Sequence, residues 1–242
     1  MNTPAIVPSS ALALRPVALK EEDGIKFWDN GHPRAPTAII CDTSSSMAGA
    51  PLAELQRGLE QFFDAIAKDE LASLRVDSLV VRCGEPVETL VPFGAAEPGE
   101  KPVLPVLTAA GRTPLGLAVR HAIAEVQARR AEYRRCALGS FRPMLLLLSD
   151  GEPNDEGWEV AADELRALAE RGWNVIGVGI GEAASLDTLQ RFCVQPVRRL
   201  AATDLAALFK WLSDSQRALS RSQSTGALGC GLPAELPEVP RL

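Results

Sequence analysis

Hydrophobic and polar positions along this chain switch repeatedly between two patterns, and their order predicts its elements. Thr37-Ala38-Ile39-Ile40-Cys41 is a short unbroken apolar run, the mark of a strand buried on both faces. From Pro51 to Lys68, Leu52, Leu55, Leu59, Phe62, Phe63 and Ile66 recur at helical spacing, with Pro51 at a favoured first-turn position. Val76 to Arg82 and Val87 to Val91 read as a hairpin around Gly84-Glu85-Pro86. A Pro/Gly-rich loop, PFGAAEPGEKPVLP, leads to a helix in GRTPLGLAVRHAIAEVQARR with Pro114 in its first turn. Met144 to Leu148 predicts a central strand, and Glu156 to Arg171 a helix that stops at Gly172. Trp173 to Ile180 is a further strand, followed by a short helix holding Leu186, Leu189 and Phe192 with Ser185 as its cap. Val197 to Leu200 reads as an edge strand, and Asp204 opens a last helix with Leu205, Leu208, Phe209 and Leu212.

Strands alternating with helices of this length require crossover connections over a mostly parallel sheet, with the hairpin supplying one antiparallel edge strand. The α/β pattern spans residues 36–213. Residues 1–35 form an N-terminal extension of Pro, Ser and charged pairs closed by the Asp29-Asn30-Gly31 turn signal. Residues 214–242 turn polar and then Gly/Pro-rich, and are expected to form a flexible tail.

Composition narrows the function classes. The chain has 242 residues, of which 46% are apolar and 23% charged, enough to bury a core without disulfides or metals as staples. A net charge of −6 and an aromatic content of 5% argue against a basic nucleic-acid face or a base-stacking platform. No apolar run is long enough to span a membrane, and no basic segment precedes an apolar one at the N-terminus, so a cytoplasmic location is expected. Cys41, Cys83, Cys136, Cys193 and Cys230 are scattered singly without a C-x-x-C pair, which points to reduced thiols rather than a zinc ribbon or a disulfide framework.

Ligands of open α/β sheets bind at the carboxyl ends of the strands, so the segments that follow each strand carry the candidate chemistry. Asp42-Thr43-Ser44-Ser45-Ser46 follows the first, Ser149-Asp150-Gly151-Glu152 follows the fourth, and Gly111-Arg112-Thr113 enters the second long helix. On one rim these offer two carboxylates and three hydroxyls, all hard oxygen donors, which suit Mg2+ or Mn2+, with Ca2+ ranked behind them, and not zinc or copper. Residues two apart leaving a strand point the same way, so Asp42-x-Ser44-x-Ser46 aims several oxygens at one point. Two formal charges leave positions on a divalent ion for an outside ligand.

Each residue also has a plainer reading. Ser44 and Ser46 suit a cap for the helix near Pro51, Thr113 suits a cap before Pro114, and Asp150-Gly151 suits a simple turn. Glu152, Asn154 and Asp155 read as a polar turn and a cap for the following helix. His32 and His121 have no evident partner, and Arg129, Arg130, Arg134 and Arg135 read as a solvated helix end. Catalysis is disfavoured: Ser44 replaces the second acid of a D-x-D phosphohydrolase, and neither G-x-S-x-G nor G-x-x-x-x-G-K-[ST] occurs.

DTSSSM, then GRTPLG, then LLLLSDGEPND, in this order, resembles the von Willebrand factor type A domain and its metal-ion-dependent adhesion site over roughly residues 35–213. D-x-S-x-S alone is a weak signal, whereas three motifs in order on a β/α pattern are a specific one. The resemblance implies a Rossmann-like three-layer α/β/α fold and a metal held by Asp42, Ser44, Ser46, Thr113 and Asp150. It further implies that the ion binds a carboxylate from a protein partner, aided by the PFGAAEPGEKPVLP loop and the 152–157 turn, with a switch between Thr113 and Asp150 in contact with the metal. Within the family, D-T-S-x-S-M and the second acidic turn are similar to the bacterial TerY-like group of tellurite-resistance and stress loci, implying kinase or phosphatase partners. Ser45 stands where Gly is usual and Ser149 where Thr is common. The alternatives are a subunit docking on a MoxR- or chelatase-type AAA+ ATPase, a Mg2+-dependent phosphohydrolase, and a domain with a vestigial site.

Overall fold

The computed structural model describes residues 30–150 and 152–221. The N-terminal extension up to residue 29, the tail from residue 222, Gly151 and Cys230 lie outside the described residues.

Six strands form one sheet in the order β3-β2-β1-β4-β5-β6. These are β1 (Ala35–Asp42), β2 (Val76–Cys83), β3 (Glu88–Val91), β4 (Met144–Ser149), β5 (Asn174–Ile180) and β6 (Arg198–Leu200). Every pairing is parallel except β2 with β3, the hairpin expected from the sequence. All residues of β1 and β4 are buried, which is why both read as unbroken apolar runs instead of alternating ones.

Strand alternation divides that apolar content between two layers of helix. Ile39, Cys41, Leu146 and Leu148 face α1 (Ala50–Ala67) and α6 (Leu205–Ser220), packing with Leu55, Leu59, Phe62, Leu208 and Phe209. Ala38, Ile40, Leu145 and Leu147 face α3 (Leu115–Arg135) and α4 (Trp158–Glu170), packing with Leu115, Val119, Ile123, Ala162 and Leu165. The α1–α6 contact depends on Gly58, where a Cβ would come within 2.1 Å of the Phe209 ring. Two short helices, α2 (Glu70–Arg75) and α5 (Leu186–Gln190), complete the set.

Several expectations are corrected. Residues 214–220 are not the start of a tail: α6 continues to Ser220, and Ser215, Gln216 and Ser220 are buried. Helix α4 begins at Trp158 rather than Glu156, because Gly157 at its cap adopts φ +74°. Arg129 is not on a solvated end. Helix α3 runs on to Arg135, and Arg129 is buried with Nε 2.8 Å from Asp77 Oδ2 and Nη1 2.9 Å from Glu132. Tyr133 OH donates to the same Asp77 oxygen at 2.6 Å. Both histidines have partners: His121 Nε2 lies 2.7 Å from Thr89 Oγ1, and His32 Nδ1 lies 3.3 Å from Arg75 Nη2.

Because β3 runs antiparallel, the chain leaves it at the far end of the sheet and returns along α1. Lys101 pairs with Asp64 at 2.8 Å, the Leu107 N–H donates to Gln56 Oε1 at 2.9 Å, and the Ala110 N–H donates to the Thr43 carbonyl at 2.9 Å. Leu104 and Leu107 pack on the core, while Val103 and Val106 are 90% and 83% exposed. At the end opposite the strands' carboxyl termini, Asn30 Nδ2 donates to the Leu74 carbonyl at 2.8 Å and Arg75 Nη1 to the Ser220 carbonyl at 2.6 Å. The first and last described residues therefore meet at α2.

Candidate metal centre

Strand order reverses between β1 and β4: from β1 the chain goes first to β2 on one side and later to β4 on the other. That switch point opens a crevice at the carboxyl ends of the two strands, where open α/β sheets place ligands. Asp42 ends β1 and Asp150 directly follows β4, so the topology brings both carboxylates to the crevice.

The side chains there form one connected set. Asp42 is fully buried; its Oδ1 accepts the Ser44 N–H at 2.8 Å and its Oδ2 accepts the Ser149 hydroxyl. Ser46 Oγ donates to Asp150 Oδ1 at 2.9 Å, and Ser44 Oγ lies 2.9 Å from Ser46 Oγ. A continuous run of oxygens thus links the end of β1 to the end of β4. The turn that carries it is pinned from both sides: the Thr43 N–H donates to the Cys83 carbonyl at 2.8 Å, and the Ser45 N–H to the Gly111 carbonyl at 3.1 Å. Gly111 adopts φ +74°, and a Cβ there would stand 2.6 Å from Glu85 Oε2, so this position requires glycine.

Thr113 is buried at the same rim, but its hydroxyl makes no hydrogen bond among the described residues. Its main chain is held by Asn154, whose Oδ1 accepts the Thr113 N–H at 3.1 Å. Asp42, Ser44, Ser46 and Asp150 are therefore gathered by direct side-chain and main-chain hydrogen bonds, whereas Thr113 bonds none of the four among the described residues and is held by Asn154. The capping alternatives do not hold. The residue before α1 is Gly49, the residue before α3 is Pro114, and neither supplies a side-chain cap. Asn154 and Asp155 serve the start of α3 and not the following helix, a role the sequence did not reveal.

Electrostatics at this rim are unbalanced. Burial pushes the Asp42 carboxyl above the usual carboxylate range against the opposing hydrogen bonds of Ser149 and Ser44. Burial also raises Asp150, opposed by the Ser46 hydroxyl and reinforced by the charge on Asp42. Among the described residues no lysine, arginine or histidine forms an ion pair with either carboxylate. A buried and a half-buried acid, met among the described residues only by neutral donors, fit a cation supplied from outside. The donors are all hard oxygens, and among the described residues no cluster of three or more His, Cys, Asp or Glu side chains forms. Cys41, Cys83 and Cys193 are buried free thiols; burial raises Cys41 and Cys83, with the charge of Asp42 adding to it, and pushes Cys193 up to about 12 against the charge of Arg166.

An open α/β sheet with an acidic, hydroxyl-lined crevice at its switch point defines a class, and comparison with known proteins places the chain within it. The von Willebrand factor type A domain model matches residues 38–211, and the chain belongs to that family. No curated protein matches it in sequence. Among solved structures, proximal thread matrix protein 1 from the mussel byssus is 17% identical with a TM-score of 0.58, over 76% of this chain and 48% of that one; its MIDAS motif is occupied by zinc in that structure. This chain thus spans about half the length of the mussel protein. The vWF domain of the pilus tip protein Mfa5 from Porphyromonas gingivalis is 11% identical with a TM-score of 0.60, over 81% and 99% of the two chains. The manganese-loaded TRAP protein of Plasmodium vivax is 16% identical with a TM-score of 0.54, over 72% and 71%. Identities this low bear on the fold alone.

Proposed function

We propose that this chain is a metal-ion-dependent protein-binding module in which Asp42, Ser44, Ser46, Thr113 and Asp150 hold Mg2+ or Mn2+. The observation that carries the reading is the buried Asp42 and the half-buried Asp150 linked through Ser44 and Ser46, with no lysine, arginine or histidine of the described residues paired to either. A bound divalent ion supplies an electrophilic position for a carboxylate from a partner protein. The chain's own residues do the rest: Asp42 and Asp150 provide the charge, the serines and Thr113 provide neutral oxygens, and the Ser149 hydroxyl orients Asp42. Neutral oxygens suit this task because each carboxylate added to an ion weakens its attraction for an incoming one. The manganese and zinc present in the two family structures support a divalent ion. The reading is one of binding without turnover.

Within the family, D-T-S-S-S-M and S-D-G-E-P-N-D support a TerY-like adaptor of stress or tellurite-resistance signalling. The buried free thiols support a reducing compartment such as the cytoplasm.

Calorimetric titration of the metal-stripped chain with Mg2+ and Mn2+, alongside Asp42→Ala, tests the central reading. Saturable one-to-one binding that disappears in the variant is expected. Absence of binding in the unmodified chain overturns it.

A further inference from the structure

The loop after β4 does more than carry Asp150. Asn154 and Thr113 exchange a reciprocal pair of hydrogen bonds: Thr113 N–H to Asn154 Oδ1 at 3.1 Å, and Asn154 N–H to the Thr113 carbonyl at 3.1 Å. Arg112 Nη2 adds a third by donating to the Asn154 carbonyl at 2.6 Å. One residue on, Asp155 accepts the Gly116 N–H on Oδ1 at 3.2 Å and the Leu117 N–H on Oδ2 at 2.8 Å. These are first-turn donors of α3 that have no partner within the helix, and Pro114 at the cap has no side-chain acceptor for them. A carboxylate there also matches the positive end of the helix. The fit is close: a Cβ at Gly116 would stand 2.6 Å from Trp158 Cα and 2.7 Å from Asp155 Oδ2.

Thr113 needs such a device. The other four proposed ligands are tied to one another by hydrogen bonds, whereas the Thr113 hydroxyl makes none among the described residues. A neutral hydroxyl contributes to a metal only when it is held in place, and the groups behind a ligand hold it there.

We propose that Asn154 and Asp155 are positioning residues for the metal centre, clasping the turn that carries Thr113 and so holding its hydroxyl at the rim. This rests on the metal-centre reading above.

The test is Mn2+ binding to the metal-stripped full chain, followed by the free-ion electron paramagnetic resonance signal so that weak binding stays in range. Asp155→Ala and Asn154→Ala are compared singly and combined with Thr113→Ala or Ser44→Ala, with thermal melts in EDTA alongside. Each single variant is expected to weaken Mn2+ by about tenfold. In the Thr113→Ala background the same substitutions should change affinity little, because the ligand they orient is gone, while in the Ser44→Ala background they should keep their full effect. A purely structural role moves the melts and leaves this pattern absent. Unchanged affinity in both single variants, or a full effect persisting in the Thr113→Ala background, overturns the clasp while leaving the metal centre standing. An unmodified chain that takes up no Mn2+ overturns the centre and the clasp with it. Should Asp155→Ala fail to fold, the exposed Asn154→Ala carries the same comparison.

Discussion

Buried acids stand at both ends of the sheet, and the two ends treat them in opposite ways. Where β2 begins, Asp77 receives Arg129 Nε, the Tyr133 hydroxyl and the Gly94 N–H, at 2.8, 2.6 and 2.8 Å. Nearby, Asp69 receives the Ala72 N–H, Arg217 Nε and Arg221 Nη2, at 3.0, 2.9 and 2.7 Å. At the carboxyl rim, Asp42 and Asp150 receive hydroxyls and backbone N–H groups. The outcome differs accordingly. Burial acts to raise Asp69, but the Ala72 N–H and the two guanidinium groups outweigh it and hold the carboxyl well below the usual range. Burial wins at Asp42 and Asp150. An acid matched by arginine is internally closed, whereas one met only by neutral donors keeps charge for a cation from solution.

The sharpest way to break this contrast is to open the closed end. Asp77→Ala takes from buried Arg129 one of its two carboxylate partners, leaving Glu132, and takes from Tyr133 its hydroxyl acceptor, and should cost about 3 kcal/mol, read from urea unfolding in EDTA. A cost under about 1 kcal/mol would mean that Arg129 finds water or another acceptor.

The rim predicts the reverse sign of dependence. Asp42→Asn keeps the shape and an acceptor for the Ser44 N–H, so metal-free stability should change by no more than about 1 kcal/mol. Stabilisation by Mn2+, about 2.7 kcal/mol at a hundred times Kd, should vanish in this variant. Melts with and without Mn2+ measure both quantities, and a large metal-free loss would show Asp42 to be as closed as Asp77.

The smallest expected effect is at Asp69. Asp69→Ala removes a helix cap and the acceptor of two guanidinium groups, for about 2 kcal/mol at neutral pH. Because the native carboxyl is depressed, its contribution is fully present above the unfolded value near ~3.9 and is lost as pH falls through the native value. Urea midpoints of the two chains should therefore begin to draw together below about pH 4 and meet only as the native carboxyl itself takes up its proton. A gap that persists in acid would assign the contribution to packing.

What was legible in the sequence divides along the same line. Thr37 to Cys41 and Met144 to Leu148 announced the two central strands because burial on both faces removes alternation, and Gly84-Glu85-Pro86 announced the antiparallel edge. Asp42, Ser44, Ser46 and Asp150 were legible as a group because strand ends on one side of a parallel sheet must share a rim. The closed end was not. Arg129 sits in an Ala-Arg-Arg run that looks solvated, and its partner Asp77 lies 52 residues away on another element. Helix α2 buries only Ala72 and carries no apolar periodicity to betray it. Asn154 and Asp155 precede α4, so their local pattern pointed forward, while their side chains bond back onto the start of α3.

The meeting of Asn30 and Ser220 at α2 bears on how this unit is used in a larger architecture. Entry and exit of the domain are neighbours, and the crevice of Asp42 and Asp150 is at the opposite pole. The described residues begin and end at the base of the domain, where a tool has its handle. Such a unit can be spliced between unrelated segments, or set at the end of a tether, with its working face pointing outward.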